Sequence, residues 1–157
     1  RRSISCKIFG LHHAQNIAAA VAAARLLGTP TNDIFQRLSQ VQPAAHRGNI
    51  INLAGGITCI DESYNSNPSA FKSSLQSLRR VDPSRTRYIV IGEMRELGVH
   101  SDVLHRECGK FLAESHSGLK YRLLTVGDGA IPFADEAKKG ALSFIHLPNY
   151  DAALKDL

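Results

Sequence analysis

Residues 88–92 read Tyr88-Ile89-Val90-Ile91-Gly92, a short apolar run closed by a glycine. A run of this length and composition is typical of a strand buried in a parallel sheet. Residues 101–112 then carry apolar side chains at helical spacing, and residues 123–126 and 142–145 repeat the short apolar run. Strands that alternate with helices in this way predict βαβ units. The predicted fold class is therefore α/β, with a Rossmann-like open, mostly parallel sheet and flanking helices.

The segment upstream of this alternation predicts a hairpin and a capped helix. β-branched residues are concentrated in residues 49–53 and 57–60, and a Gly-Gly pair between them is a turn signal. Asn67 followed by Pro68 predicts the start of a helix, because Asn is favoured as the N-cap and Pro at the first helical position. The Rossmann-like sheet is expected to begin with the hairpin, at about residue 49.

The first 41 residues predict a strand followed by two helices. Residues 3–9 alternate apolar and polar side chains, as a half-buried strand does. Residues 16–27 are rich in alanine, the best helix former. Residues 33–41 carry apolar side chains at helical spacing behind Thr31 or Asn32, either of which can cap the helix. The composition changes at residues 42–48, which are therefore the predicted domain boundary.

The composition of the chain argues against several classes of partner and against disulfides and a metal site. The 157 residues carry a net charge of +5, but the basic residues are scattered and no aromatic residues interleave with the basic doublets, so no nucleic-acid partner is expected. The longest apolar run is too short for a membrane span, so no membrane partner is expected. Cys6, Cys59 and Cys108 lack CxxC spacing and the seven histidines lack HxxxH spacing, so neither disulfides nor a metal site is expected. A reducing cytoplasm is the predicted compartment.

Polar side chains follow the predicted strands at the point where each strand ends. In open α/β sheets, ligands bind outside the carboxyl ends of the strands, so these loops are candidates for a small-molecule site. The candidates are Asp61, Glu62, Ser63, Tyr64, Asn65, Asn67, Glu93, Arg95, Glu96 and the turn Gly127-Asp128-Gly129. The alternative is that Asp, Asn, Gly and Ser occur there because turns require them.

Four segments, in the same order along the chain, resemble the Mur ligase family of ATP-dependent peptide ligases. Residues 10–16, Gly-Leu-His-His-Ala-Gln-Asn, resemble the family segment Gly-x-His-Asn-x-x-Asn, and residues 46–48, His-Arg-Gly, resemble its Gly-Arg between the second and third domains. Residues 61–68, Asp-Glu-Ser-Tyr-Asn-Ser-Asn-Pro, are similar to the Asp-Asp-Ser-Tyr-Asn-Ala-Asn-Pro loop of one member. Residues 91–98 are similar to that member's Gly-Asp-Met-x-Glu-Leu-Gly stretch.

The resemblance implies the end of a central ATP-binding domain at residues 1–45 and a truncated C-terminal ligase domain at residues 46–157. It implies an enzyme that uses ATP and Mg²⁺ to activate UDP-N-acetylmuramoyl-tripeptide as an acyl phosphate and joins D-alanyl-D-alanine to it in peptidoglycan synthesis. The chain holds no Gly-x-x-x-x-Gly-Lys-Ser/Thr phosphate loop, so that loop and the Mg²⁺ ligands would lie before residue 1. The chain is thus expected to be a fragment that is inactive alone. A monomer is also expected.

The family's nucleotide contacts are implied at five positions of this chain. Asn16 matches the amide that reaches adenine, and Arg47 matches an arginine that meets the nucleotide at the domain junction, where a guanidinium suits phosphate. Asp61 and Glu62 occupy the acidic pair that accepts hydrogen bonds from the ribose, and which of the two makes the contact stays open. Two residues depart from the pattern: His13 stands where the family usually has Asn, and Glu62 where it usually has Asp.

Substrate contacts are implied at five further positions. Tyr64, Asn65 and Asn67 would shape the loop against the nucleotide and the acceptor substrate. Asn67 is also the predicted helix cap, which is the simpler interpretation of that residue. Glu93 and Arg95 would line the cleft that binds the substrate. No residue of the chain is assigned a catalytic role.

Two other functions stay open at this point. One is a stand-alone Rossmann-like module that binds a nucleotide or a protein, and an upstream strand, phosphate loop and helix would favour the ligase over it. The other is a Mur-type ligase that adds a single amino acid, such as glutamate or a diamino acid. The sequence of residues 64–68, Tyr-Asn-Ser-Asn-Pro, favours a ligase that adds D-alanyl-D-alanine over one that adds a single amino acid.

Overall fold

The computed structural model describes residues 8–10, 12–82, 84–115 and 120–156. The predicted strand at residues 3–9 lies almost wholly outside these residues, and so does Cys6. Contacts between Cα atoms divide the chain into two compact units, residues 1–64 (unit 1) and residues 65–157 (unit 2). The predicted domain division, at residues 45 and 46, stays a prediction. Among the described residues, no helix is both long and apolar enough to cross a lipid bilayer.

Unit 1 begins with the predicted alanine-rich helix, α1, which spans His12–Leu26. It starts four residues earlier than predicted, because the His13 N–H donates to the Gly10 carbonyl at 3.2 Å and this turn leads directly into the helix. Gly28 follows the helix with a φ of 84°, a left-handed conformation that glycine adopts without strain. None of the residues of α1 is fully buried within the described chain.

The second helix, α2, spans Thr31–Leu38, so it begins and ends earlier than predicted. Pro30, with extended backbone angles, occupies the N-cap position, and the predicted capping by Thr31 or Asn32 is wrong because both residues lie inside the helix. Ile34 and Leu38 are buried, as their helical spacing predicts.

A hairpin completes unit 1. Its strands are β1 (Asn49–Asn52) and β2 (Thr58–Asp61), which pair antiparallel with Asn49 opposite Asp61. Gly55 and Gly56 form the turn with φ angles of 73° and 75°, which explains why two glycines are needed there. The hairpin is confirmed, but it forms a sheet of its own and is not part of the parallel sheet.

Unit 2 contains the predicted parallel sheet and confirms the fold class. Its strands lie in the order β3 (Arg87–Ile91), β4 (Tyr121–Val126) and β5 (Ser143–Leu147). The helices of this unit are α3 (Pro68–Leu78), α4 (Ser101–Ser115), α5 (Ile131–Ala137) and α6 (Tyr150–Asp156). Asn67 caps α3 as predicted, because its Oδ1 accepts from the Ala70 N–H at 2.9 Å.

The core of unit 2 lies between one face of the sheet and α3, α4 and α5. It is built from Leu75, Ile89, Met94, Cys108, Leu112, Tyr121, Leu123, Phe133 and Ala137. The prediction that residues 88–91 form a fully buried strand is wrong. Ile89 points into the core, whereas Tyr88 and Val90 alternate to the other face and are 70% and 59% exposed.

Two buried polar side chains satisfy backbone groups at the edges of this core. The Tyr121 hydroxyl donates to the Ala137 carbonyl at 2.7 Å, which joins β4 to the end of α5. The Arg87 guanidinium closes the loop between α3 and β3 by donating to three carbonyls, those of Val81, Asp82 and Arg85. Burial raises the pKa of the Cys108 thiol to about 11, so this cysteine is a packing residue and not a nucleophile.

Candidate functional site

Unit 1 brings the segments 46–48 and 61–64 together through hydrogen bonds to Asp61. Asp61 Oδ2 lies 2.7 Å from His46 Nδ1, and Asp61 Oδ1 accepts from the Ser63 N–H at 3.0 Å. The Asp61 carbonyl accepts from the Gly48 N–H at 2.9 Å. The hydrogen bonds from Ser63 and from His46 hold the pKa of Asp61 below its usual value, so the carboxylate is ionised at neutral pH.

These contacts fix the position of Arg47 between two anchored neighbours. His46 and Gly48 both have positive φ angles, 61° and 77°, and only the glycine adopts such angles without strain. The Arg47 guanidinium lies 4.2 Å above the ring of Tyr64, and both side chains are exposed. A cation stacked on an aromatic face and still accessible to solvent is suited to bind an anionic ligand.

A second cluster joins the start of α1 to the residue after β2. It consists of His12, His13 and Glu62, which each offer one nitrogen or oxygen within 4.8 Å of the others. The two imidazole rings have centroids 4.1 Å apart and are tilted by 42°. Burial and the neighbouring His12 lower the pKa of His13, with Arg47 acting in the same direction and Glu62 opposing it. The His13 imidazole is therefore neutral at neutral pH.

Two glycines make room for this cluster. A Cβ on Gly48 would lie 2.8 Å from the Phe9 carbonyl oxygen, 3.4 Å from His13 Nε2 and 3.6 Å from Glu62 Oε1. A Cβ on Gly10 would overlap the His12 ring, and Gly10 has a φ of 106°. Any larger residue at either position would push the polar side chains apart.

Of the five predicted nucleotide contacts, the structure brings four into these two clusters, namely His13, Arg47, Asp61 and Glu62. Asn16, the fifth, is exposed on α1. It lies three and four residues after His13 and His12, the spacing that places side chains on one helix face. The sequence interpretation missed His12 and His46. The signal for His46 was its position beside Arg47, and the signal for His12 was its place in the matched segment.

The predicted substrate residues of unit 2 do not form one cluster among the described contacts. Asn65 is exposed before α3, and Asn67 uses its Oδ1 to cap that helix. Glu93 packs against Gly129, where a Cβ would overlap its carboxyl group, so the loops after β3 and β4 touch at this glycine. Arg95 is exposed in the loop after β3.

His105 anchors the loop that carries Glu93 and Arg95. Its Nε2 accepts from the Met94 N–H at 2.9 Å, and its Nδ1 donates to the Ser101 carbonyl at 2.7 Å. The side chain is fully buried. With both ring nitrogens engaged in the fold, His105 positions the loop and is not a candidate for acid–base catalysis.

Comparison with known proteins places residues 46–157 in a family described as Mur ligase, glutamate ligase domain. The UDP-N-acetylmuramoyl-tripeptide–D-alanyl-D-alanine ligase of Bacillus subtilis is 29% identical over 106 residues, which cover 68% of this chain and 23% of the relative. The enzyme of the same name from Mycobacterium tuberculosis strain H37Rv is 31% identical over 127 residues, which cover 78% of this chain and 24% of the relative.

The chain is also similar to solved structures. A crystal structure of MurF from Acinetobacter baumannii aligns with a TM-score of 0.78 and 31% identity, covering 94% of this chain and 31% of that one. A second crystal structure of the same protein aligns with a TM-score of 0.73 and 34% identity, covering 94% of this chain and 30% of that one. The chain thus spans about a quarter of the length of the curated relatives and about a third of these structures.

Proposed function

Because the chain belongs to the Mur ligase family, we propose that it is part of an ATP-dependent ligase that adds D-alanyl-D-alanine to UDP-N-acetylmuramoyl-tripeptide. The relatives named for this reaction support the choice of substrates. The observation that carries the proposal is that unit 1 holds an accessible Arg47 next to His46, which contacts Asp61, while Glu62 clusters with His13, on which Arg47 acts. An arginine, a carboxylate and a nearby amide are the groups that bind the phosphate, ribose and base of a nucleotide.

The hydrogen bonds of Asp61 support different tasks for the two acids. Both carboxylate oxygens of Asp61 already accept hydrogen bonds, from His46 and from Ser63, so Asp61 holds the segments together. Glu62 lies on the side of His13 and has one more methylene than the family's usual Asp. Glu62 is therefore the proposed acceptor for the ribose hydroxyls, and Asp61 is the residue that positions Arg47.

The remaining unit 1 residues supply the base and phosphate contacts of this proposal. Asn16 pairs with the adenine edge, because a side-chain amide offers both a donor and an acceptor. His13 replaces one of the two hydrogen bonds that an asparagine would make there. Arg47 binds phosphate oxygens and stabilises the charge that develops during phosphoryl transfer.

The proposed reaction forms an amide bond through an acyl phosphate. An oxygen of the tripeptide carboxylate attacks the γ-phosphorus of ATP, and ADP leaves. The amine of D-alanyl-D-alanine attacks the acyl carbon, and phosphate and a proton leave. Mg²⁺ would neutralise phosphate charge, but it prefers oxygen ligands. The cluster of two imidazoles and Glu62 does not fit it, so the Mg²⁺ ligands are expected elsewhere in the ligase.

Unit 2 contributes to substrate binding in this proposal. Asn65 is the first residue of unit 2 and follows Tyr64, the last residue of unit 1. The side-chain oxygen of Asn67 caps α3, so only its amide N–H groups are proposed to contact the substrate. Glu93 and Arg95 offer one charge of each sign on the loop that His105 anchors. They are suited to the ammonium and carboxylate of the incoming dipeptide. The ligase is expected to work in the cytoplasm as a monomer.

The test uses the full-length ligase and its substrates. Arg47→Ala should raise the KM for ATP about 10- to 100-fold, the value of a charged hydrogen bond to phosphate. Arg25→Ala, an exposed arginine in the same unit, is the matched control and should leave the KM unchanged. Product formation with D-alanyl-D-alanine should exceed that with glutamate or a diamino acid. A preference for a single amino acid, or an unchanged KM for ATP in Arg47→Ala, would contradict the proposal.

A further inference from the structure

We propose that, while no nucleotide is bound, His12, His13 and Glu62 form a binding site for a divalent transition metal of the zinc class. This inference rests on the same residues of unit 1 as the proposed function, and the metal is not the Mg²⁺ of the ligase reaction. The three side chains each offer a ligand atom within 4.8 Å of the other two. Around zinc, with bonds of about 2.0–2.2 Å, tetrahedral ligand atoms lie about 3.3 Å apart. The ligand atoms therefore need to approach one another by at most about 1.5 Å to reach the spacing that the metal requires.

One nitrogen atom of the site, which could bind a metal ion, makes no hydrogen bond in the fold among the described residues. His12 Nδ1 is buried and has no hydrogen-bond partner among the described residues. A buried polar atom without a partner is costly, and its presence indicates a ligand that the fold was shaped to accept. Coordination of a metal ion through Nδ1 would satisfy this atom.

The surrounding backbone keeps the site open. Gly48 leaves His13 Nε2 and Glu62 Oε1 facing the same space, which a Cβ at that position would partly fill. Gly10 allows the His12 ring to lie against the backbone at the start of α1. The two histidines are adjacent in sequence, so the start of a rigid 15-residue helix holds both.

The chemistry of the three donors selects the metal. Two imidazole nitrogens and one carboxylate oxygen suit Zn²⁺, Co²⁺ and Ni²⁺, whereas Mg²⁺ and Ca²⁺ require oxygen ligands. Three protein ligands leave a fourth position for water or another oxygen ligand.

The sequence rule that argued against a metal site does not cover an arrangement of this kind. HxxxH spacing detects ligands on one helix face, whereas this site takes two neighbouring residues at a helix start and a third from the end of a distant strand. His13 and Glu62 are also the two positions at which the chain departs from the family's pattern. The first departure replaces an amide by an imidazole, which is a better ligand for this class of metal, and the second lengthens a carboxylate side chain by one methylene.

The experiment is a metal titration of untagged, metal-free, full-length protein without nucleotide. Co²⁺ should bind with one saturable equivalent that produces visible d–d bands, and Zn²⁺ should displace it. His12→Ala, His13→Asn and Glu62→Gln should each weaken Co²⁺ binding at least 10-fold, since even residues that only orient a metal ligand contribute 10- to 100-fold. His100→Asn, which removes an exposed histidine from unit 2, should bind Co²⁺ like the unsubstituted protein.

Folding and the ligase reaction are controlled separately. Circular dichroism melts of the metal-free variants show whether each is folded, and His13→Asn carries the residue that the family itself uses. Absence of saturable Co²⁺ binding, or binding that survives His13→Asn and Glu62→Gln, would overturn the site. Because this titration contains no ATP or muramoyl substrate, its failure is distinguishable from a failure of the proposed ligase function.

Discussion

The two units are held together by different kinds of contact. Unit 2 packs apolar side chains from α3, α4 and α5 against one face of a parallel sheet. In unit 1 the only fully buried residues among those described are Ile34, Leu38 and Gly48. Its segments 46–48 and 61–64 are joined instead by hydrogen bonds to Asp61 and by glycines that permit close approach.

This difference separates stability from function. Apolar packing is nondirectional and sums over many contacts, so unit 2 should contribute most of the free energy of unfolding. Hydrogen bonds among exposed residues contribute little to stability but fix direction, so unit 1 should determine how side chains face a ligand. Substitutions in the two units should therefore have different consequences, which the following comparisons measure.

The largest effect is expected from a core leucine of unit 2. Leu112→Ala removes a fully buried side chain from α4 and should lower the free energy of unfolding by about 2–5 kcal/mol. The matched control is Leu154→Ala in α6, where the side chain is 70% exposed and the change should stay within about 0.5 kcal/mol. Urea denaturation measures both. Equal losses in the two variants would show that the core of unit 2 is not the main source of stability.

A smaller effect is expected from the buried histidine of unit 2. His105→Ala leaves the Met94 N–H without its acceptor, which should cost about 1–3 kcal/mol, and should speed hydrogen exchange of that amide. His100→Ala is the control, because His100 is exposed. Exchange rates by NMR or mass spectrometry report the local change. A Met94 amide that stays as protected as before would mean that His105 does not hold this loop.

The smallest effect on stability is expected from a substitution in unit 1. This substitution should change the KM for ATP although it barely changes the free energy of unfolding. His46→Gly removes the contact with Asp61 but relieves the positive φ, so the free energy of unfolding should change by less than about 1 kcal/mol. The KM for ATP should nevertheless rise, because Arg47 loses an anchored neighbour.

Glu96→Gly is the matched control for this substitution, since Glu96 is the other described non-glycine residue with a positive φ, 64°. It relieves the same backbone strain in unit 2, and it should leave the KM for ATP unchanged. Steady-state kinetics of the full-length ligase compare the two. A loss of several kcal/mol in His46→Gly would show that unit 1 depends on this contact for folding as well as for orientation.

Several elements could be predicted from the sequence because their signals are local. Asn67 before Pro68 predicts a cap and a first turn, and the structure contains both. The Gly55-Gly56 pair predicts the hairpin turn, because the backbone there needs positive φ. The exposure of Tyr88 and Val90 could not be predicted, because an apolar strand looks the same whether helices cover one of its faces or both.

The candidate site was predictable only in part. The matched segments predict that Arg47, Asp61 and Glu62 belong to one site, and unit 1 places them close in space. The partner of Asp61 could not be predicted, because His46 reaches it only through the pairing of segments that are 15 residues apart. The use of both Asp61 oxygens, which leaves the ribose to Glu62 in the proposed function, is likewise a property of that pairing.

The sequence by itself determined the fold class, the hairpin, the capped helix α3 and the membership of the matched segments in a ligase family, because periodicity, caps and motifs are properties of neighbouring residues. The tertiary structure decided that the hairpin forms its own sheet, that Asp61 is an anchor, that His105 is a buried support and that His12, His13 and Glu62 meet. These facts depend on which distant segments pack together. The spacing of residues along the chain does not reveal which segments those are.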